Sequence, residues 1–453
     1  MTEEQRQWKT SRYTRFVRIA GKGGMLYNSY TGAIAAVSAD ELEETVRWLD
    51  DGTAAREEVG LKAELCAAGF LVPADTDEWR RAGQFHEALK EARSMHLVLL
   101  PTEACNFRCS YCYQKFQRGT MTRDVIEGLK AYVREAAERI DHLSVSWFGG
   151  EPLLAFDAIM ELSDSFMDSC ARNGAGYSAD MSTNGYGLTK EKLVQLAERQ
   201  VRRYMVTVDG KDEVHDRRRR LVGGGPTYRT IIDNLRELLS LDDAFTVDLR
   251  VNFDEDNVGR VKEWLDELSG LLRGDRRFGL LVRPIGRWGG PRDALLPVCD
   301  RTSSDRHLWE LAGYGQQVGL PLSEAIADAL MPAGSVCYAA KPNSLIVGAD
   351  GQLYKCSVAL DDEANQVGKL NKDGTVVLDP DKMALWTDSG EEQDEVCRSC
   401  FYRPACQGNH CPLYRMRTGK RPCPHEKRKL GRVLALLWKN DAGYEGGEQD
   451  EAD

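Results

Sequence analysis

The chain has 453 residues and a formal net charge of −11, with 42% apolar and 29% charged residues. This length allows two or three domains with separate cores, and the composition is that of a globular protein. The acidic balance argues against general nucleic-acid binding, which needs a basic surface to neutralise phosphates. No run is apolar enough for a membrane span and the N-terminus lacks a signal-peptide core, so we expect a cytoplasmic protein.

The first segment, residues 1–95, predicts a small α+β module of the winged-helix-like type. Two strand-like runs, Tyr13–Ile19 and Met25–Tyr30, flank the turn sequence AGKGG, which favours a hairpin. The capping-box sequence SADE predicts a helix over 38–49, and a second helix is predicted over about 57–68. A linker helix completes the segment.

Between residues 96 and 290 the pattern changes to apolar strands that alternate with amphipathic helices, such as Asp124–Arg139 and Lys190–Arg199. Alternation of this kind indicates βα units around a parallel sheet, and six units predict a partial TIM-like (β/α)6 barrel. The predicted strands are LVLL (97–100), LSVSWF (143–148), SADMST (178–183), RYMVTV (203–208), TVDLRVNF (246–253) and FGLLVRPI (278–285).

The remainder, residues 291–440, has weak periodicity and is rich in cysteine, which predicts a small domain organised by metal rather than by a large core. The chain has 13 cysteines, and in a reducing compartment clustered thiols favour metal ligation over disulfides. The tail, residues 441–453, is acidic and without cations, which predicts a disordered end.

Cys105, Cys109 and Cys112 follow the first predicted barrel strand with the spacing CxxxCxxC. Residues at the C-terminal ends of barrel strands are where such folds place their chemistry. Three thiolates leave one iron of a [4Fe–4S] cubane free to bind the amino and carboxylate groups of a substrate. A structural zinc site is the alternative, but such a site normally closes with four ligands.

The segment CNFRCSYCY, with Tyr111 just before the third cysteine, resembles the signature of the radical SAM family. The FGGEP sequence at the end of the second strand resembles the GGEP motif of that family. The resemblance implies that Gly149, Gly150 and Glu151 hold the methionine amino group of S-adenosylmethionine (SAM). It also implies that a reduced cluster cleaves SAM and that the resulting 5′-deoxyadenosyl radical abstracts hydrogen from a substrate.

Polar groups at later strand ends resemble the segments that contact the ribose and carboxylate of SAM in this family. Arg219 suits a carboxylate because its planar guanidinium can form a bidentate pair. The other arginines of the run 217–220 suit a solvated surface equally well. Asn252 is the weakest of these candidates, because a buried Asn is often a structural amide. The residues implied are Ser182, Asn184, Thr207, Arg219 and Asn252.

The later cysteines resemble those of a SPASM domain, the C-terminal extension of peptide-modifying radical SAM enzymes, although four residues rather than the usual three separate Cys406 from Cys411. The resemblance implies two auxiliary [4Fe–4S] clusters, the second held by Cys397, Cys400, Cys406 and Cys423 and the first by Cys337, Cys356 and Cys411.

Seven ligands leave one iron of the first auxiliary cluster open. A substrate thiolate could bind it, or water, another side chain or Cys299 could close it. A zinc ribbon is the alternative for this whole cysteine set. We expect Cys66 and Cys170 to be core residues.

The N-terminal module, chiefly through RFVRI and GMLYNSYTG, resembles in architecture the element that captures the leader of a precursor peptide by β-augmentation. A winged module without a peptide role is the alternative. The resemblances together imply a peptide maturase that joins a Cys sulfur to a carbon as a thioether in a ribosomally made precursor peptide. Reduced flavodoxin or ferredoxin would be the electron donor, and neither nucleic acid nor a membrane would be a partner.

Three other functions stay open at this point. The first is a maturase that forms carbon–carbon or carbon–oxygen links. The second is an anaerobic sulfatase maturase, which makes formylglycine; in that family an Asp acts as base directly after the Cys of a Gx4C element, where this chain has Ser357. The third is a non-catalytic zinc-binding scaffold.

Overall fold

A computed structural model describes residues 7–19, 21–51, 60–242 and 244–441. The chain forms two compact units, which we call the cysteine-rich unit (1–91, 324–337 and 389–453) and the barrel unit (92–323 and 338–388). The start of the predicted second helix and all but the first residue of the predicted tail lie outside the described residues. None of the described helices combines the length and apolar character needed to cross a lipid bilayer.

The strands are numbered in chain order. They are β1 (Trp8–Thr10), β2 (Thr14–Ile19), β3 (Gly23–Asn28), β4 (Ile34–Val37), β5 (Leu71–Pro73), β6 (Ser94–Leu99), β7 (Phe107–Cys109), β8 (His142–Trp147), β9 (Gly176–Thr183), β10 (Val201–Thr207), β11 (Arg219–Leu221), β12 (Thr246–Phe253), β13 (Phe278–Pro284), β14 (Ser344–Val347), β15 (Gln352–Tyr354), β16 (Gln366–Leu370) and β17 (Val376–Leu378).

Several helices begin at a side-chain cap: Thr122 accepts a hydrogen bond from the backbone N–H of Val125, and Asp300 accepts one from Thr302. The helices are α1 (Leu42–Asp51), α2 (Leu61–Ala67), α3 (Glu78–Lys90), α4 (Arg123–Ala136), α5 (Phe156–Asn173), α6 (Lys190–Glu198), α7 (Asp212–Arg218), α8 (Tyr228–Leu239), α9 (Val261–Leu272), α10 (Arg301–Gln317), α11 (Ala325–Asp328), α12 (Pro380–Thr387), α13 (Glu395–Arg398), α14 (Arg403–Cys406), α15 (Pro412–Thr418), α16 (His425–Arg428) and α17 (Leu430–Asp441).

The barrel unit contains one long sheet in the order β13-β12-β10-β9-β8-β6-β14-β15-β16-β17. The six predicted strands are confirmed as its parallel part, with small shifts at their ends. The α/β fold with a partial TIM-like barrel is therefore confirmed. Strand β14, which pairs in parallel with β6, extends the parallel part beyond the prediction. The sequence SLIV is only four residues long and buried throughout, so it carries no alternation that could reveal it.

A row of polar side chains crosses four neighbouring strands of this sheet. The Nδ1 of His96 lies 2.9 Å from the Oγ of Ser344, its Nε2 lies 3.0 Å from the Oγ of Ser146, and that hydroxyl donates to Asp180 at 2.7 Å. Burial is the main cause that lowers the pKa of His96 to about 4 and raises the pKa of Asp180 to about 6. The row therefore connects the neutral imidazole of His96, through Ser146, with the Asp180 carboxyl group, whose ionisation is disfavoured by burial.

The N-terminal part of the cysteine-rich unit is a three-stranded antiparallel sheet in the order β2-β3-β4, joined by the short ladder β1-β5. The predicted hairpin is confirmed as β2 and β3, and the capping box is confirmed by reciprocal hydrogen bonds between Ser38 and Glu41 ahead of α1. The linker helix is α3. Strand β4 follows the hairpin directly and forms an edge of the sheet, and a small core lies beneath it, made of Leu26, Val37, Leu65, Phe70 and Leu71.

In the same unit the N-terminal module packs against the segment that carries the last cysteines. The Arg403 guanidinium lies 3.6 Å from the centre of the Trp79 ring and pairs with the buried carboxylate of Glu391 at 2.6 Å. The Arg12 side chain donates to the Arg398 carbonyl at 3.2 Å. These contacts join the N-terminal module to residues 389–441, which belong to the same compact unit.

Candidate active site and cluster-binding cysteines

The loop after β6 carries Cys105, Cys109 and Cys112, and a second, two-stranded sheet shapes it. Strand β7 ends at Cys109 and pairs with β11 in antiparallel fashion, which puts Cys109 opposite Arg219. The Cys105 sulfur accepts a hydrogen bond from the Phe107 N–H at 3.3 Å. This pairing of three-residue strands was not predicted, since such short strands have no periodic signal.

The three thiols lie close enough to influence one another's ionisation. Burial, the largest cause, raises the pKa of Cys105 to about 11 and that of Cys109 to about 12, and the neighbouring thiols add to both shifts. Burial also raises the pKa of Cys112, while Arg219 acts on all three thiols in the opposite sense. The free thiols are therefore protonated near neutral pH, and iron that binds them must displace their protons.

Gly149 and Gly150 allow the end of β8 to touch the backbone of the cysteine loop. A Cβ atom on Gly149, whose φ is 123°, would lie 2.2 Å from the Thr102 carbonyl oxygen, and one on Gly150 would lie 2.2 Å from that of Ala104. The Gly150 N–H donates to Thr102 at 3.0 Å. Glycine is required at both positions because any side chain would push the loop away.

Glu151 is 1% exposed and joins two strand ends. Its carboxylate accepts from the Thr183 hydroxyl and from the Asn184 N–H, both at 2.7 Å. Asn184 in turn donates from its side chain to Asn106, inside the cysteine loop, at 2.8 Å. The end of β9, the GGEP turn and the cysteine loop are thus one hydrogen-bonded assembly. Burial, the largest cause, raises the pKa of Glu151.

Tyr111 is the centre of a second assembly around the same loop. Its hydroxyl donates to the Asp209 carboxylate and accepts from the Arg219 guanidinium at 2.8 Å and from the Asn252 amide at 3.2 Å. The other oxygen of Asp209 accepts from the Asn252 N–H at 3.0 Å. Sequence analysis selected Tyr111, Arg219 and Asn252 separately, and the structure brings them into contact.

Asp209 is the central residue of this assembly that was not among the selected site residues, although it lies two residues after the selected Thr207. It is fully buried and ties together the ends of β10 and β12. Next to it, Arg218 forms a bidentate pair with Asp254 at 2.6 and 3.1 Å. The signal was an acidic residue at a strand end, which the sequence alone could not separate from a solvated turn.

Ser182 and Thr207 lie near the ends of β9 and β10, half-buried and one strand apart. Their side chains take no part in the two assemblies around Glu151 and Tyr111. A contact of either residue with SAM stays a prediction.

The cysteine-rich unit holds a second group of thiols, which we call the four-thiol site: Cys397, Cys400, Cys406 and Cys423. Burial, the largest cause, raises the pKa of Cys406 to about 12, and the thiols of the other three add to the shift. Short helices and turns place them, with Asp394 capping α13 by accepting from the Cys397 N–H at 3.0 Å. Four cysteines predicted to share a cluster therefore lie together.

No three His, Cys, Asp or Glu side chains in the described part of the chain are grouped at the distances that a single metal ion requires. A cubane cluster presents a separate iron atom to each thiolate, so its ligands surround a cage rather than one ion.

The three remaining predicted ligands are divided between the units. Cys337 and Cys411 belong to the cysteine-rich unit, where the Cys337 N–H donates to the Asn409 carbonyl at 3.0 Å. Cys356 belongs to the barrel unit, and the buried Asn365 holds it there through two backbone hydrogen bonds of 2.8 Å. A cluster shared by these three cysteines stays a prediction.

Within the barrel unit, Tyr113 connects Cys356 with the cysteine loop. Burial, the largest cause, raises the pKa of Tyr113 to about 12, with contributions from Cys112 and Cys356, while a hydrogen bond with Ser357 acts in the opposite sense. The Ser357 hydroxyl also lies 2.8 Å from that of Tyr338. Burial, the largest cause, raises the pKa of Cys299, and the carboxylates of Glu255, Asp254 and Asp300 add to the shift.

Residues 99–268 match the family model described as the Radical SAM superfamily. This segment is a radical SAM domain. Both assemblies around the cysteine loop fall within the matched residues. The family uses a [4Fe–4S] cluster and SAM, and the three thiols of the loop fit the cluster because they are mutually close and leave one iron without a protein ligand. The cluster and SAM would supply the radical, and the chain would bind and orient them.

Two curated relatives extend beyond the radical SAM domain. A Sulfurimonas denitrificans protein named GTP 3',8-cyclase is 24% identical over 297 residues, which are 62% of this chain and 85% of the relative. A Klebsiella aerogenes protein named serine-type anaerobic sulfatase-maturating enzyme is 23% identical over 360 residues, which are 76% of this chain and 86% of the relative.

The fold of the radical SAM domain and its surroundings is also similar to a solved structure. The structure described as native anSMEcpe with bound AdoMet and Cp18Cys peptide has a TM-score of 0.57 at 15% identity, and the match covers 76% of this chain and 97% of that one. At this level of identity the likeness is one of fold.

Proposed function

We propose that the chain is a radical SAM peptide maturase that installs thioether bonds, from Cys sulfur to carbon, in a ribosomally made precursor peptide. Arg219 and Asn252 would bind the SAM carboxylate, and Gly149, Gly150 and Glu151 its amino group. The buried surroundings of these residues would keep water away from the radical. The carboxylate of Glu151 accepts three hydrogen bonds, which leaves one of its roughly four acceptor positions for an ammonium group.

The observation that carries the proposal is the neighbourhood of Cys356. Tyr113 hydrogen-bonds with Ser357, the residue after Cys356, and after burial both the Cys112 and the Cys356 thiols contribute to its raised pKa, so a thiol of the predicted first auxiliary cluster lies near the cysteine loop. An open iron bound to Cys356 could hold a substrate thiolate near the substrate carbon radical. The carbon radical and the thiolate would then form the C–S bond and release one electron, with the thiol proton lost when iron binds the sulfur.

Formylglycine formation is the main rival, and similarity to the Klebsiella aerogenes relative favours it. That reaction needs a base at the substrate. The position after Cys356 holds Ser357, whose hydroxyl is engaged with Tyr338 and whose N–H donates to the same phenol at 3.1 Å. A serine hydroxyl ionises far above neutral pH and so cannot take the part of an aspartate.

Strand β4 is the proposed docking edge for the leader of the precursor. It lies at the side of the sheet β2-β3-β4, and residue Ala36 on it is exposed. An edge strand offers unpaired backbone groups to an extended peptide. A truncation would be a poor test because the N-terminal module packs on residues 398–403.

Proline scanning of this edge tests leader binding. Neighbouring residues of an antiparallel edge alternate in the direction of their N–H groups, so of Ala35→Pro and Ala36→Pro only one removes an outward N–H. We expect the variant that keeps its native circular dichroism to lose precursor affinity, measured by fluorescence anisotropy. Unchanged affinity in that variant would discard the docking edge and leave the bond-forming proposal intact.

Mass spectrometry of a Cys-containing precursor peptide encoded beside this gene tests the reaction. Thioether formation should remove two hydrogen atoms for each bond and make the thiols resistant to alkylation. Free thiols with the same mass loss would indicate carbon–carbon or carbon–oxygen links, and a hydrazide-reactive aldehyde would indicate formylglycine. Anaerobically purified protein should contain about twelve irons per chain if all three cubanes form; colourless protein with zinc would leave only a scaffold.

An electron donor is needed to start each cycle, and we propose reduced flavodoxin or ferredoxin for this role. Either carrier should replace dithionite in the peptide assay. No 5′-deoxyadenosine above background with both carriers would exclude this class of donor.

A further inference from the structure

The four-thiol site has a lysine among its sulfurs. Lys427 lies on α16, and its ammonium group is 3.4 Å from the Cys423 sulfur and also hydrogen-bonds with the Cys400 thiol. The positive charge of the Lys427 ammonium group therefore lies at the point where two thiolates would meet iron.

A second cation approaches from the N-terminal module. Arg15 on β2 stacks on the Phe401 ring, with its guanidinium 4.2 Å from the ring centre, and acts on the neighbouring Cys400. A third cation, Arg421, interacts electrostatically with Cys397 and pairs with Asp394 at 2.9 Å. Arg15 is exposed, so its charge is partly screened by solvent, whereas Lys427 is half-buried and in direct contact.

Reduction adds one negative charge to an iron–sulfur cluster and its thiolates. A cation or N–H donor at the sulfurs stabilises the reduced state more than the oxidised state, because the attraction grows with the negative charge. Hydrogen bonds to the sulfurs are among the features that set the potential of such clusters.

We propose that Lys427 raises the reduction potential of the cluster that the four thiols would hold. This inference rests on the proposed function for the presence of that cluster. Arg15 contributes in the same direction with a smaller effect.

The test is a potentiometric titration of the full, cluster-loaded chain, followed by electron paramagnetic resonance. Lys427→Gln removes the charge, and we expect a more negative midpoint potential for one cluster, with iron content unchanged. Lys427→Arg keeps a cation and should restore the potential. Lys429→Gln is the matched control because this exposed lysine lies two residues further on. Arg15→Gln should shift the same signal less.

The possible outcomes separate the inference from the proposed function. A Lys427→Gln protein with full iron and an unshifted potential would overturn the role of Lys427 and leave the maturase proposal standing. A shifted potential in a protein that leaves every precursor thiol alkylatable would support Lys427 and remove the thioether proposal. If Lys427→Gln does not load iron, the Lys427→Arg protein becomes the test. It should load iron and show the wild-type midpoint potential, and a shifted potential in this variant would refute the inference.

Discussion

The two thiol groups of this chain are built in opposite ways. The three thiols of the cysteine loop depend on residues from four strand ends that meet only when the parallel sheet has formed, including Glu151, Asp209 and Arg219. The four-thiol site is contained in the stretch from Cys397 to Cys423, on short helices with little core of their own. The first site is therefore formed by the fold, and the second would be completed by the metal it binds.

Cysteine substitutions should have the largest effect, and they should affect the two sites independently. Replacing Cys105, Cys109 and Cys112 together with Ala should abolish 5′-deoxyadenosine formation, because no iron remains to bind SAM, while absorption from the four-thiol cluster persists. Replacing Cys397 and Cys400 with Ala should remove the absorption of the four-thiol cluster and leave 5′-deoxyadenosine formation intact. Chromatographic detection of 5′-deoxyadenosine with parallel iron analysis measures both, and SAM cleavage by the triple variant would refute the first site.

A single substitution in the polar shell should have an intermediate effect. Arg219→Lys keeps the charge but cannot serve Tyr111 and a carboxylate at once, because an ammonium lacks the planar fork. Loss of one charge-assisted hydrogen bond costs roughly 1.5–3 kcal/mol, so SAM should bind about 10–100-fold more weakly. Calorimetry on cluster-loaded protein measures this, with Arg220→Lys, on the exposed neighbour, as the control. Equal affinities would remove Arg219 from the SAM site.

The polar row of the sheet should produce the smallest effect, a change in the pH dependence of stability. The pKa of Asp180 is raised to about 6, so its contribution is full below its unfolded value and is lost as pH rises through 6. The pKa of His96 is lowered to about 4, so its contribution is full above 6.5 and is lost as pH falls through 4. In the wild-type protein the two residues change the free energy of unfolding in opposite directions over the same range of pH.

Replacing either His96 or Asp180 should reveal the pH dependence of stability that the other residue contributes. Asp180→Asn should make the free energy of unfolding rise more steeply between pH 4.5 and 6, by up to about 1.4 kcal/mol per pH unit. His96→Gln should make it rise less or fall. Urea unfolding at several pH values, followed by the fluorescence of the buried Trp147, gives the slopes. Identical slopes in all three proteins would show that neither group titrates in this range.

The sequence predicted the barrel well because its strands carry strong apolar patterns, and it selected most of the residues around the cysteine loop. It could not place Asp209, since a carboxylate at a strand end has no signal that distinguishes a buried hub from a solvated turn. It also missed β14 and the pairing of β7 with β11, because strands of three or four residues are specified by their distant partners rather than by their own pattern.

Domain organisation was harder to predict for a related reason. The cysteine spacing treats Cys337 to Cys423 as one series, but the chain enters the barrel unit between Tyr338 and Asp388 and then leaves it. The contacts that decide this, such as Asn365 with Cys356 and Arg403 with Trp79, join residues through packing and hydrogen bonds. Neither leaves a local signal.

The pairing of β7 with β11 has a consequence for how the enzyme is made in the cell. Cys109 faces Arg219 across this small ladder, so the cysteine loop takes its final shape only after the ribosome has delivered the chain through Leu221 and the intervening strands have docked. Contacts between residues so distant in sequence form late in folding. The machinery that delivers iron and sulfide must therefore meet a chain that is folded through β11, and a nascent chain that stalls before β11 would present the three thiols without the guanidinium of Arg219.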